Sequence, residues 1–97
     1  MDFSKVLIAT GDLNEDYEII DVIFALDSST EKFFSSADPN QAFANVKNQL
    51  RKKCAELGGQ AVINCEFEHR VASTTSAFGN AKQVIEIFAY GTAVRLK

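Results

Sequence analysis

The sequence has few of the residues that most often carry chemistry in a small protein. Among its 97 residues are one histidine, two cysteines, one proline and no tryptophan. A single histidine and the lack of a CxxC spacing exclude the common zinc-binding motifs. The hydroxyl-rich stretch Ser73–Ser76 is not part of a nucleophile elbow or an ordered triad. No motif in the sequence therefore specifies a reaction.

Long apolar runs and an excess of positive charge are also missing. The net charge of −3 and the pI near 5.0 argue against nucleic acid or an anionic membrane surface as a partner. No segment reaches the roughly 18 apolar residues that a membrane span needs, and the start, Met1-Asp2, does not resemble a signal peptide. We therefore expect a cytoplasmic protein with two reduced thiols.

What the chain does contain is enough apolar material for a core. Apolar residues make up 46% of the sequence, and its aromatic residues are eight phenylalanines and two tyrosines. This composition is typical of a globular protein, and 97 residues are enough for one domain. We expect a single domain over residues 1–97.

A helix is predicted before the paired glycines in the middle of the chain. Its apolar side chains recur at the spacing of one helix face. They are Phe43, Val46, Leu50, Cys54 and Leu57. Asp38 suits the N-cap and Pro39 the first helical position, while Gly58 or Gly59 can end the helix in the left-handed conformation. The pattern predicts a helix of about 18–20 residues.

Alternating apolar and polar residues follow that helix directly. Period-two alternation predicts a strand in which the odd-numbered residues from Ile63 to Val71 face inward. If Gly79-Asn80 forms a two-residue hairpin turn, Phe67 pairs with Thr92. In that register the even-numbered residues of the last strand join the inward face. Those residues are Val84, Phe88, Tyr90, Val94 and Leu96.

The first part of the chain predicts two further strands. Lys5–Thr10 could form a short edge strand, and Tyr17–Leu26 a longer one. Asp27–Asp38 reads as a serine-rich loop. The predicted fold is α+β, with an antiparallel sheet of three or four strands and one long helix on one face.

One helix can cover only one face of such a sheet. The other face is predicted to carry Ile19, Ile23, Ile85 and Ile87. Monomers rarely leave so apolar a patch in water, so self-association is the simplest expectation. The alternative is that the Asp27–Asp38 loop folds over this face with Phe33 and Phe34.

Cys54, Cys65 and His69 are the weak candidates for a metal site. Cys54 belongs to the buried stripe of the helix and Cys65 to the inward face of the strand. Cys65 and His69 are about 13 Å apart on an extended strand, too far to bind one ion within a single subunit. Buried cysteines that act as small apolar residues are the favoured interpretation. A site assembled between subunits stays open.

Two acidic patterns also have simpler explanations. Asp12, Asn14 and Asp16 resemble the start of a calcium loop, but the glycine and the final glutamate of an EF-hand are absent. Glu66 and Glu68 share a strand face about 6.6 Å apart, a spacing also seen in glycoside hydrolases. Solvated carboxylates are far more common at such positions. We predict no catalytic residues.

Two segments carry a family resemblance. Residues 57–63, LGGQAVI, are similar to the LGANAVV signature of the YbjQ-like proteins (UPF0145, DUF74), and residues 89–94, AYGTAV, to their closing strand. The resemblance is good over residues 50–96, whereas Asp27–Asp38 replaces the family's glycine- and arginine-rich segment. It implies a dodecin-like βαββ topology, a ring-shaped pentamer and the family's heavy-metal-binding label.

Three hypotheses follow. The first is a non-enzymatic homo-oligomer, a pentamer by resemblance, that needs no cofactor and whose partner is itself. The second is a metal-binding protein that uses Cys54, Cys65 or His69. The third is an enzyme or small-ligand binder with a pocket between subunits near Tyr90, His69 and Ser73–Ser76.

Overall fold

A computed structural model of the chain describes residues 2–30, 39–75, 79 and 81–97. Within these residues one helix packs on a four-stranded sheet. The elements are β1 (Leu7–Ile8), β2 (Tyr17–Thr30), α1 (Pro39–Glu56), β3 (Ala61–Thr75) and β4 (Ala81–Leu96). The strands lie in the sheet in the order β1-β3-β4-β2. The predicted α+β fold is confirmed, with one difference. The edge strand β1 runs parallel to β3, so the sheet is mixed.

Helix α1 begins and ends where the sequence predicts. Its apolar stripe is buried at Val46, Leu50 and Cys54, which are fully inaccessible to solvent. Leu57 lies just past the last turn and is 44% exposed. Gly58 has a φ of 81°, and its N–H donates to the carbonyl of Ala55 at 3.0 Å. A left-handed glycine therefore ends the helix, as expected. The predicted N-cap at position 38 lies outside the described residues.

A β-bulge interrupts the alternation of β3. Pairing with β4 shifts between Ile63 and Glu66, and Asn64 has a φ of 52°. Because the bulge adds one residue to β3, Cys65 lies in the core below the helix, whereas Ile63 packs in a separate small cluster with Val94. The prediction that Ile63 and Cys65 share a face is therefore wrong.

The register of the β3–β4 hairpin also differs from the predicted one. Phe67 pairs with Ala89 instead of Thr92, and Thr75 pairs with Ala81. Residues 76–80 thus separate the strands, where a two-residue turn was predicted. The shift is an odd number of residues, so it exchanges the two faces of β4. The residues of β4 that pack below the helix are Ile85, Ile87, Ala89 and Ala93.

The strands are long for a chain of this size. β2 continues to Thr30, which pairs with Val84, although a loop was predicted from Asp27. The dimensions are 56 × 24 × 17 Å and the radius of gyration is 16.1 Å. A compact domain of this length would have a radius of gyration of about 12–13 Å. The elongation arises because three strands continue past the N-terminal turn of α1.

Candidate functional site

Among the described residues, six apolar side chains lie exposed on the side of the sheet that faces away from α1. We call them the exposed face: Ile19, Val22, Phe24, Leu26, Phe88 and Tyr90. Their exposed fractions are 65, 64, 59, 55, 37 and 36%, respectively. A whole aromatic side chain has about 150–250 Å² of surface and aliphatic ones somewhat less, so together these fractions amount to about 500 Å². That is near the upper end for the largest apolar patch of a monomer.

The pairing of β2 with β4 gathers this set. Phe24 pairs with Tyr90 and Leu26 with Phe88, and directly paired residues point to the same side of a sheet. A bulge between Ile19 and Asp21 keeps Ile19 on the same side as this group. The pairing of β2 with β4 therefore places all six side chains on one surface.

The sequence predicted an uncovered apolar face but mostly the wrong residues for it. Of the four predicted isoleucines, Ile19 alone belongs to the exposed face. Ile23 and Ile87 are buried below α1, and Ile85 packs against the same core. The isoleucines of β4 lie on the other face because the register of β4 differs from the predicted one. The suggested cover by Phe33 and Phe34 lies outside the described residues.

The aromatic rings of the exposed face contact one another. The ring centroids of Phe24 and Phe88 are 6.2 Å apart, and those of Phe88 and Tyr90 are 6.0 Å apart. Both pairs are tilted, as aromatic rings prefer. Lys53 reaches from α1 past the outer edge of β2, so that its Nζ lies 4.7 Å from the centroid of Phe24. The aromatic cluster is therefore held in place at the centre of the exposed face.

Charged and polar side chains of β3 border this apolar surface. The hydroxyl of Tyr90 donates to the Glu66 carboxylate at 2.5 Å, and that hydrogen bond raises the pKa of Tyr90. Farther along, Arg70 and Glu86 form an ion pair at 2.5 Å. An apolar centre with a polar border is the usual anatomy of a protein–protein interface.

The chain itself covers one end of this side of the sheet. Leu13 and Tyr17 pack on Ile63 and Val94. The hydroxyl of Tyr17 donates to Asp12 at 2.8 Å, which lowers the pKa of that carboxyl group. Asp12 thus accepts hydrogen bonds from its own turn, which fits the polar turn expected there. The cover does not extend to Phe24 or the residues around it.

Cys54 and Cys65 are structural parts of the core. Their exposed fractions are 0 and 2%, and each thiol approaches a backbone carbonyl, that of Ala61 or Val62. Burial raises the pKa of both thiols, so they are protonated at neutral pH and poor metal ligands. His69 is exposed on β3, away from them. Within the described residues no three metal-ligating side chains come together.

His69 and Tyr90 do not share a pocket within one subunit. His69 pairs with Ile87 on the helix side, where both border a cavity of about 300 Å³ together with Phe43 and Phe67. Tyr90 lies on the opposite side of the sheet. Ser73–Thr75 continue β3, and residue 76 lies outside the described part. The predicted pocket would therefore need residues from two subunits.

This α+β fold, with one helix on one side of a four-stranded sheet, is shared by a protein of known structure. The crystal structure of a protein with unknown function from Pediococcus pentosaceus, of the DUF74 family, is similar at a TM-score of 0.78 and 24% identity. The alignment covers 95% of this chain and 98% of that chain. No curated protein matches the sequence.

Residues 37–97 match the YbjQ family, which is described as "Putative heavy-metal-binding". Because the match extends over more than half of the chain, the protein belongs to this family, and the predicted resemblance is confirmed. The family has no established function. The one helix among the described residues is not both long and apolar enough to cross a membrane.

Proposed function

We propose that the protein is a non-enzymatic subunit of a homo-oligomer that assembles through the exposed face. The observation that carries this proposal is the cluster of Val22, Phe24, Leu26 and Phe88 on a part of the sheet that no described element covers. A surface of about 500 Å² would contribute on the order of 10 kcal/mol per subunit if fully buried, before the costs of association.

The shape of the subunit supports assembly as well. Its radius of gyration of 16.1 Å is well above that of a compact monomer of the same length. A sheet with one bare side and projecting strands gains most from neighbours that pack on it. We propose a closed ring, with five subunits as the family resemblance implies, because head-to-tail contacts form a ring when the rotation between subunits closes.

The described side chains support a non-catalytic role. The thiols are buried and protonated, and the single histidine borders a cavity without a described acid–base partner of the triad kind. The proposed role is therefore that of an assembling or scaffolding protein, not of a catalyst.

Light scattering tests this proposal. The unmodified chain should have a mass several times 10.7 kDa, whereas Phe88→Glu should lower it by placing a charge on the exposed face. Leu57→Glu is a matched control, because Leu57 is 44% exposed at the end of the helix, away from that face. A monomeric unmodified protein, or equal effects of the two substitutions, would contradict the proposal.

Heavy-metal binding is a second candidate function, because the family description names it. The described residues of one subunit do not fit a metal site, since the two thiols are buried and protonated and His69 lies apart from them. A metal site would have to form between subunits. Elemental analysis and titration with zinc or copper, on the native chain and on Cys65→Ser, test this candidate. The absence of stoichiometric uptake would end it.

A further inference from the structure

The outer edge of β3 has no neighbour over much of its length. β1 pairs with β3 at Ala61 and Val62, and the last hydrogen bond on that side joins the N–H of Cys65 to the carbonyl of Ala9 at 3.0 Å. From Glu66 to Val71, no described backbone group pairs with β3 on the side away from β4. An open edge of this length is a template for another strand.

The other edge of the sheet is obstructed in its middle, which distinguishes it from the open edge of β3. On the outer side of β2, Lys53 donates to the carbonyl of Phe24, and Gln49 donates to the carbonyl of Leu26 at 3.1 Å. Both side chains come from α1, which packs toward β2. Side chains that occupy edge carbonyls prevent a further strand from pairing there. Strand addition to the described sheet is thus directed to β3.

The backbone orientation of this edge can be read from Cys65. Its N–H points outward, toward β1. Because the outward direction alternates along a strand, the N–H and C=O groups of Phe67, His69 and Val71 also point outward. These three residues can exchange hydrogen bonds with an added strand.

The side chains on this edge are complementary to themselves. In an antiparallel pairing of two β3 strands centred on His69, Glu68 lies opposite Arg70 of the second copy, and Arg70 lies opposite its Glu68. Phe67 then lies opposite Val71 of the second copy, also twice. Opposite charges and apolar pairs directly across two strands are stabilising.

Neighbouring registers are worse. Centring the pair on Glu68 or on Arg70 would place two like charges directly opposite each other, which is destabilising. Centring it on Phe67 would place Glu66 opposite Glu68 twice. The register centred on His69 pairs every charge between positions 67 and 71 with its opposite, and it allows about six backbone hydrogen bonds.

We propose that two copies of the chain join through β3 in this register, so that their sheets become one. The partner at this edge is a second copy of the protein, and the contact is isologous, with His69 on the two-fold axis. This edge contact is distinct from, and does not rest on, the proposed assembly through the exposed face. It would pair subunits of neighbouring rings or of one smaller assembly.

Cysteine crosslinking of the full-length chain tests the register directly. In His69→Cys, the two introduced thiols would lie on one rung, where Cα atoms are about 5.5 Å apart, within the range of about 4.4–6.8 Å that disulfides span. Val71→Cys is the matched control. It lies on the same strand and the same side of the sheet, but its two copies would be about 13 Å apart.

Under mild oxidation with diamide, His69→Cys should form a disulfide-linked dimer at least about tenfold faster than Val71→Cys. Equal rates, or no dimer from His69→Cys, would overturn the proposal. The same comparison in a Phe24→Ser background separates this contact from the exposed face. Loss of the crosslink there would refute an independent edge contact, and its persistence would support one even if the face assembly proved wrong.

Charge reversal provides a second readout on the His69→Cys protein. Glu68→Arg alone and Arg70→Glu alone should each slow crosslinking by about tenfold, because each places like charges across the pair. The double reversal restores opposite charges and should recover most of the rate. If the double reversal is as slow as the single ones, the proposed pairing is wrong.

Discussion

Replacing Phe24 by serine should weaken self-association strongly while leaving the subunit folded. Phe24 is 59% exposed in the isolated subunit, which corresponds to about 120 Å² of its surface. At about 25 cal/mol per Å², burial of that surface is worth about 3 kcal/mol. Loss of about 3 kcal/mol at an interface corresponds to roughly a hundredfold weaker association.

The effect on the fold itself should be small. The side chain of Phe24 contacts Phe88 and the ammonium group of Lys53, and none of these contacts lies in the core below α1. Loss of the ring and cation contacts should cost about 1 kcal/mol of unfolding free energy. A far-UV circular dichroism melt of the variant checks this.

Sedimentation equilibrium over a wide range of concentrations measures the association constant. Leu57→Ser, which removes an apolar side chain that is 44% exposed just past the end of α1, should leave that constant unchanged. If Phe24→Ser assembles as tightly as the unmodified chain, the exposed face is not the interface. The same conclusion follows if both variants weaken association equally.

Four further outcomes are expected. Asn64→Val should lower the free energy of unfolding in urea by about 1–2 kcal/mol, whereas Asn64→Gly should be nearly neutral, because position 64 has a φ of 52°; equal effects would contradict this. Gly91→Ala should destabilise by about 1–3 kcal/mol, since the added Cβ would lie 2.6 Å from the Sγ of Cys65; an unchanged melting temperature would show that the core yields there. Both cysteines should resist Ellman's reagent at neutral pH until the chain unfolds, because burial raises their pKa values; rapid labelling of the native protein would refute this. The hydrogen bond from Tyr17 lowers the pKa of Asp12 below its ordinary value of 3.8. The unmodified chain should therefore lose stability as the pH falls from above 3.8 through the pKa of Asp12 in the folded state. Asp12→Asn should lose less stability over the same pH interval.

The helix could be predicted closely because its signals are local. Pro39 at the start, the stripe through Val46 and Leu50, and a left-handed Gly58 at the end each act within a turn or two of the chain. The positions of β2, β3 and β4 along the chain followed from alternation in the same way, but the order of the strands in the sheet was not predicted. The parallel pairing of β1 did not, because its two residues carry too little pattern.

The faces of β3 and β4 could not be predicted, because both depend on single-residue shifts. The bulge at Asn64 moves Cys65 below the helix, and the longer hairpin connection pairs Phe67 with Ala89. One extra residue in a strand exchanges all later side chains between the two faces. Asparagine tolerates the left-handed conformation better than most residues, so Asn64 was the one available signal of the bulge.

The sequence therefore predicted that the candidate site is an exposed apolar face of the sheet, but not which residues form it. Strands with apolar residues on both faces imply that one side of the sheet stays largely uncovered, and this holds for the part of the chain that the structure describes. Val22, Phe24 and Leu26 were recognisable as one alternating set, but alternation alone does not say which set the helix covers. Tyr90 and His69 were expected near one pocket between subunits, and within a single subunit the register places them on opposite sides of the sheet.

The most direct test of the account is the number of chains in the native particle, counted by native mass spectrometry of the unmodified protein. The account predicts closed five-membered rings, seen as five copies of the 10.7 kDa chain or, where the β3 edges of two rings pair, as ten copies. A spectrum dominated at micromolar concentrations by the 10.7 kDa monomer would contradict it, because the exposed face would then remain in water.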